Sequence, residues 1–455
     1  MITFETFRQS CLDLSPLGLQ EEPSVKKSII IPESARILAW LENSQVYFCQ
    51  IPDQGETVFT VDPKGFPEEQ ILPVAKDIAH FIGLLICCKD AALIAGAHQW
   101  SQFRFLEQME AIVPNMKAQS VLRALGNIYH PPVIQNPATE MLQLRKSFTA
   151  SLEAEYFVGF NMDFSQDCTS GQAGDKLVVN RSIAGEEETW HVPSVFMCED
   201  GIVVETYLEV ETNKLDRFFK DWGNRSKTPL SLGQKLQRYL DNPLTSTYTG
   251  ILSINDKPVR CKSSFSAIWN PLLDNPPSVR RLLNHYQLDP NQGYLFKRYC
   301  FPRKGKYPKI RTLDLILEAS PMMVPDESFT VHKDGQRFRF THPSTGLDHI
   351  FTAVSLTQEA LNPNFLSNHP CFYSRLVYTL EPSISPENFR IVDREPSDYW
   401  EDYQDEPAAV IYADQKPDPG RYALSSLHYE PQNNVHWQIL IRRKLHNDLE
   451  LKLVP

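Results

Sequence analysis

The sequence predicts an α+β, multidomain fold, on three observations. Helical spacing of apolar residues is concentrated before residue 135, helix and strand signals mix between 136 and 325, and from Glu327 onward helical periodicity nearly vanishes while short strands recur between turn signals. Three domains are expected: residues 1–135, an α+β unit with a small sheet followed by helices; residues 136–325, mixed α+β; and residues 326–455, all-β, mostly antiparallel and sandwich-like. With 455 residues, 42% of them hydrophobic, the chain can bury such cores without disulfide staples.

In the first region, Ile37 to Gln50 and Gly55 to Asp62 read as strands around Pro52-Asp53-Gln54-Gly55. Pro73 fits the first turn of a helix, which Val74, Ile78, Phe81, Ile82 and Leu85 continue at helical spacing. Further helices are expected at Asp90 to His98, at Gln102 to Val113 behind a Ser101 cap, and at Asn115 to Tyr129, the last stopped by His130-Pro131-Pro132.

The middle region opens with a helix from Thr139 to Leu152 and strands at Glu155 to Met162 and Lys176 to Val179. Two β-rich runs then flank Asp200-Gly201, the strongest short-range hairpin signal, because a type I′ turn needs positive φ at both central residues. Asn213 is the expected N-cap of a helix to Trp222, and Ser231 to Leu240 gives another. Strands follow at Thr245 to Ile254 and Val259 to Phe265 around Asn255-Asp256. A helix from Pro276-Pro277 to Tyr286 precedes strands at Gly293 to Phe301 and Ile310 to Leu317. Beyond Glu327, strands are expected at 328–333, 336–342, 348–355, 373–380, 388–393, 408–413, 421–429, 434–443 and 448–454.

Composition narrows the function classes. A formal charge of −11 opposes non-specific binding to nucleic acid or anionic lipid, both of which need a basic surface. The N-terminus lacks a basic stretch followed by an apolar one, and the most apolar segment, Ile78 to Ala97, is interrupted by His80, Lys89 and Asp90, so neither a signal peptide nor a membrane span is expected. Nine scattered cysteines, with no Cys-x-x-Cys, fit free thiols in a reducing compartment, and the expected location is the cytoplasm. The common phosphate-loop, dinucleotide, zinc-protease, esterase and EF-hand signatures are missing, and no cofactor is expected.

Four constellations could carry chemistry. A two-residue turn at Asp200-Gly201 would pair Met197 with Val204, Val195 with Thr206 and His191 with Val210 on an apolar face. The other face then holds Trp190, Phe196 and Tyr207 beside Glu205, Glu209 and Glu211, an aromatic and acidic patch of the kind that could cradle a sugar, with Trp190, Glu205, Tyr207 and Glu209 as candidate ligand-binding residues. The alternative is an ordinary half-buried sheet face. A second hairpin, Phe329 to Val354, sets Phe340 opposite His349 and brings His342 and His349 onto one face, where two imidazoles could chelate a metal if His332, His369 or another residue supplied a third ligand. Hydrogen-bonded histidines in an aromatic face explain the same letters. The third is a basic run, Lys297, Arg298, Arg303, Lys304, Lys306, Lys309 and Arg311, interleaved with Tyr299, Phe301 and Tyr307, a pattern that grips single strands or snorkels in a loop. The fourth, Ser397 to Glu406, is acidic with Tyr399, Trp400 and Tyr403, typical interface anchors, and is the expected contact with a protein partner.

Two functions compete. The first is a non-catalytic protein-binding or adaptor protein; the second is a carbohydrate-active hydrolase or carbohydrate-binding protein using the Trp190/Tyr207/Glu205/Glu209 face. Whether the chain is an enzyme stays open here.

Overall fold

A computed structural model describes residues 2–10, 12–20, 34–41, 46–64, 70–149, 156–166, 168, 171–185, 188–223, 230–303, 310–361, 370–395, 421–432 and 434–454. The fold is α+β, and the described residues form five antiparallel sheets. The chain forms two compact units: residues 1–177 with 196–199 and 265–298, and residues 178–195 with 200–264 and 299–455.

The first unit begins with α1 (Phe4–Gln9) and a sheet whose strands lie in chain order: β1 (Leu19–Gln20), β2 (Arg36–Leu41), β3 (Tyr47–Gln50), β4 (Val58–Val61) and β5 (Ile71–Ala75). As the middle strand, β3 is covered on both faces. Phe48 enters the main core, while Tyr47 and Cys49 pack with Trp40 and Phe59 on the other side. Pro73, expected to open a helix, instead lies in β5 opposite Phe59. A proline is tolerated there because β5 is an edge, where a missing N–H need not break a ladder bond. The helix starts five residues later as α2 (Ile78–Cys88), where the Asp77 carboxylate accepts the His80 N–H at 2.7 Å. Ile78, Phe81, Ile82, Leu84 and Leu85 are all fully buried, which makes α2 the central helix of this core.

Next come α3 (Ala91–Gly96), α4 (Gln102–Ala111), α5 (Met116–Tyr129) and α6 (Pro137–Thr149). Asp90, Ser101 and Asn115 each cap the helix that follows, as their side chains accept the N–H of Ala92, Arg104 and Ala118. His130 adopts the left-handed conformation that closes α5 ahead of two prolines. No single helix among the described residues is long and apolar enough to cross a membrane.

After these helices the chain forms β6 (Asp175–Ala184), β7 (Thr189–Cys198), β8 (Gly201–Val210), α7 (Thr212–Trp222), α8 (Leu232–Asp241), β9 (Tyr248–Ile254), β10 (Lys257–Arg260), β11 (Ser263–Trp269), α9 (Pro277–Tyr286), β12 (Gly293–Pro302) and β13 (Leu313–Ala319). Glu211, and not Asn213, occupies the N-cap position of α7, without a side-chain hydrogen bond. The type I′ backbone occurs at Asn255-Asp256, with φ of 48° and 64° between Ile254 and its partner Lys257. The Asn255 side chain also accepts the N–H of Arg311 at 2.7 Å, tying this turn to the start of β13.

The remaining strands are β14 (Met322–Thr330), β15 (Arg337–Thr341), β16 (Asp348–Ala360), β17 (Phe372–Glu381), β18 (Phe389–Asp393), β19 (Arg421–Leu424), β20 (His436–Arg443) and β21 (Leu449–Val454). They complete three sheets, with orders β10-β9-β13-β21, β14-β20-β18 and β15-β16-β17-β19. The last two share one core: Trp437, Ile439 and Ile441 of β20 and Phe389 of β18 pack with Phe340, Phe351, Leu376 and Tyr378. This is the expected sandwich. The strand expected at 408–413 lies outside the described residues.

Trp437 is fully buried in that core, and its indole N–H finds no acceptor among the described residues. Trp437→Ala should destabilise the sandwich by about 3–5 kcal/mol through lost packing. Trp437→Phe should cost far less, because it also removes a donor left without a partner. Urea unfolding of the two variants measures the difference.

Candidate functional site

The predicted hairpin is present as β7 and β8, but its loop is Glu199-Asp200 and Gly201 is already the first residue of β8. Neither Asp200 nor Gly201 has positive φ, so the turn is not type I′. The hairpin is also not a free pair: the sheet order is β11-β12-β8-β7-β6, which puts β8 in the middle. Gly201 to Thr206 are therefore buried without interruption.

That placement divides the predicted ligand face. Trp190 is 0% exposed, meets Tyr248 edge-on at 6.0 Å and donates its indole N–H to Glu188 at 3.0 Å. Glu205 is 2% exposed. Neither can meet a sugar from solvent, which corrects the platform expected from the sequence. Tyr207 is half-buried and Glu209 exposed. Their neighbours are His191, which the predicted register placed on the other face, and Ser182, which lay outside that register. His191 stacks on Tyr207 at 4.7 Å and 17°, and its Nδ1 lies 2.8 Å from the Ser182 hydroxyl of β6. His191 was expected on the apolar face.

The accessible cluster is thus Ser182, His191, Tyr207 and Glu209. Burial lowers the His191 pKa below its ordinary value against the opposing charge of Glu209, so the ring stays neutral to lower pH than a free imidazole. Burial and Glu209 together raise the Tyr207 hydroxyl. Chemically, this is a neutral imidazole in contact with a serine hydroxyl, beside a phenol and a carboxylate. A longer β6 would have revealed Ser182 from sequence, whereas the His191–Tyr207 contact had no local signal.

The histidine hairpin has the expected register, with Phe338 opposite Phe351, Phe340 opposite His349 and Thr341 opposite Asp348. Asp348 pairs with Arg339 and accepts the Thr341 hydroxyl at 2.7 Å on the opposite face. His342 and His349 do share a face, with ring centroids 6.0 Å apart. Their protons, however, are assigned by the backbone. The Nδ1 of His342 accepts the N–H groups of Ser344 and Thr345 at 3.2 and 3.3 Å, so its neutral form carries the proton on Nε2. His349 is the reverse: its Nδ1 donates to the Pro382 carbonyl at 2.7 Å. A metal-bound histidine donates its second ring N–H outward, as His349 does and His342 cannot while its turn is intact. The described residues include no group of three or more His, Cys, Asp or Glu able to hold a metal, and His369 lies outside them. The pair reads as turn-capping and packing.

The basic run is split. Arg298 is 3% exposed and donates to the carbonyls of Met162 and Asp163 at 2.7 and 3.2 Å and to the Tyr156 hydroxyl at 3.1 Å, with its guanidinium over Phe164. Lys297, Tyr299 and Phe301 are also buried. Arg298 thus holds the segment before β6 in place, and none of these four buried side chains is exposed to grip a nucleic acid. Lys304, Lys306, Tyr307 and Lys309 lie outside the described residues, as does the whole of Ser397 to Glu406. One further pair resembles a catalytic dyad: His80 lies 3.0 Å from Glu140. Its Nδ1 accepts the Lys76 N–H at 3.1 Å at the start of α2 while Nε2 ties α2 to Glu140 of α6, so both ring nitrogens are already engaged within the fold.

Compared with family models, curated proteins and solved structures, the chain matches none. Fold and site together define an α+β multidomain protein with a polar cluster on its β6–β7–β8 strands.

His349→Ala should lower stability by about 1–3 kcal/mol, through the lost Pro382 bond and the lost stacking on Phe340. Zinc content by elemental analysis should be the same in this variant and the parent protein.

Proposed function

We propose that this protein is a non-catalytic protein-binding protein, which takes an extended segment of its partner as an added strand along β6. One observation carries the reading: β6 is a ten-residue edge strand with no buried residue. An edge presents backbone donors and acceptors to a neighbour, and main-chain hydrogen bonds to it supply affinity without a deep pocket. Val178 is 60% exposed, an apolar side chain available to a docked strand. Asn180, at φ of 48°, kinks the strand midway, a device that limits sheet-to-sheet aggregation and still leaves Arg181 to Ala184 for a short peptide. The acidic aromatic segment Ser397 to Glu406 has the composition of a second docking element. Cys49, Cys87, Cys88, Cys198 and Cys300 are free thiols, which supports the cytoplasm as the place of action.

A second reading rests on the 2.8 Å contact between Ser182 and a neutral His191, the beginning of a nucleophile–base pair. It makes the protein a hydrolase acting through Ser182, in place of the carbohydrate face built on Trp190 and Glu205.

Two experiments separate them. Peptides selected from a displayed random library should be extended and rich in β-branched residues, and proline scanned singly through Arg181 and Ser182 should abolish their binding at the position whose N–H faces outward. If selected peptides bind both proline variants as they bind the parent, the strand-addition reading fails. A fluorophosphonate probe should leave Ser182 unlabelled; labelling that disappears in Ser182→Ala would favour the hydrolase.

A further inference from the structure

Within the first unit, a cleft of about 250 Å³ lies between α4 with its preceding turn and the 274–280 segment at the start of α9. Its walls are Gln99, Trp100, Arg104, Gln108, Asp274, Asn275 and Arg280. The walls are fixed. Ser101 both caps α4 and donates to the Pro271 carbonyl, and the Gln102 N–H is held by Asn291 at 3.0 Å. The Asn275 side chain accepts from the Asn270 N–H and donates to the carbonyls of Asn270 and Leu273, each at 2.8 Å. Gly96 lies under the indole, where a Cβ would come within 3.1 Å of Trp100. A site preorganised in this way loses little entropy on binding.

One buried charge lines the cleft: Arg280 is 7% exposed and donates to the Asn275 carbonyl at 3.3 Å. Arg145 of α6, 8% exposed, is not part of the lining. Nearby His98 reports both. Its pKa falls to about 3, through burial first and then the charges of Arg145 and Arg280. The rim differs. There Arg104 pairs with Glu107 at 2.7 Å and with Asp274 at 3.3 Å, and the Asp274 carboxylate is 72% exposed. A guanidinium fork held in a buried wall matches carboxylate and phosphate oxyanions, which it binds with two parallel hydrogen bonds. Trp100 offers an aromatic wall beside them. A cavity of 150 Å³ holds benzene, so this one accommodates a ring plus an anionic group, well short of a dinucleotide.

We propose that this cleft binds a small aromatic oxyanion, a carboxylate or a phosphate monoester, with Arg280 and Arg104 on the anionic group and Trp100 against the ring. Asp274 then acts as a gate charge that holds Arg104 until a ligand competes for it.

Calorimetric titration of the full chain with benzoate, phenyl phosphate and inorganic phosphate tests this. One of the two aromatic anions should bind saturably, and which one does so tells carboxylate from phosphate. Arg280→Gln should weaken binding by about tenfold or more, and Trp100→Leu should weaken the aromatic anion alone. Asp274→Asn, at an exposed position, should tighten binding by releasing Arg104, a gain that general loosening of the fold would not produce. No saturable heat from either aromatic anion would overturn the proposal, as would inorganic phosphate binding as tightly as phenyl phosphate. Should Arg280→Gln fail to fold, Asp274→Asn decides: tighter binding supports the site, and unchanged or weaker binding removes it.

Discussion

The central position of β8 in its sheet determines what each side chain of the hairpin can do. A strand with neighbours on both sides satisfies its backbone completely, and cover on both faces buries its side chains regardless of polarity. Glu205 and Thr206 are buried for that reason, alongside Val203 and Val204. Only toward the far end of the strand, at Tyr207 and Glu209, does the cover recede. The accessible chemistry of the sheet is consequently displaced to one end and one edge, where β6 supplies Ser182. An isolated hairpin would have offered the opposite: a broad exposed face with no edge of particular interest.

The two histidine hairpin residues follow a related logic. Backbone groups reach His342 and His349 before any ligand does, and the choice of donor or acceptor fixes each tautomer. His342 caps its own Pro343–Gly346 loop, where Gly346 takes the positive φ of 69° needed to return the chain. His349 reaches across to Pro382. Convergence of imidazoles on a face is thus weak grounds for a metal unless the second nitrogens are also suitably employed. His80 teaches the same with a carboxylate partner.

How much was legible in the sequence depended on the range of the responsible interaction. The caps Asp77, Asp90, Ser101, Asn115 and Ser231 act on backbone three residues away or less, and helix boundaries nearby were readable, except where Pro73 offered a helical start that an edge strand used instead. The β15–β16 register was readable because one short loop joins the two strands and fixes their pairing from the turn outward. Trp190 and Glu205 were misjudged because nothing in the hairpin itself announces that β12 and β6 flank it. The arginine cleft was invisible, since α4 and the 274–280 segment are separated by about 170 positions, as is the Arg104–Asp274 contact that joins them. The alternation of a strand says which side chains share a face, but neighbours in the sheet decide whether that face meets water.

Trp437 carries one last consequence. Amide and indole protons in proteins usually resist exchange with solvent for two reasons at once, burial and a hydrogen bond, and the two are hard to separate. The Trp437 Nε1 proton is sealed in the sandwich core with no acceptor among the described residues. With no described residue accepting it, its exchange with deuterium is set by the access of water, so its rate follows the opening of the β18–β20 core. That single proton is a built-in gauge of how often the two sheets part.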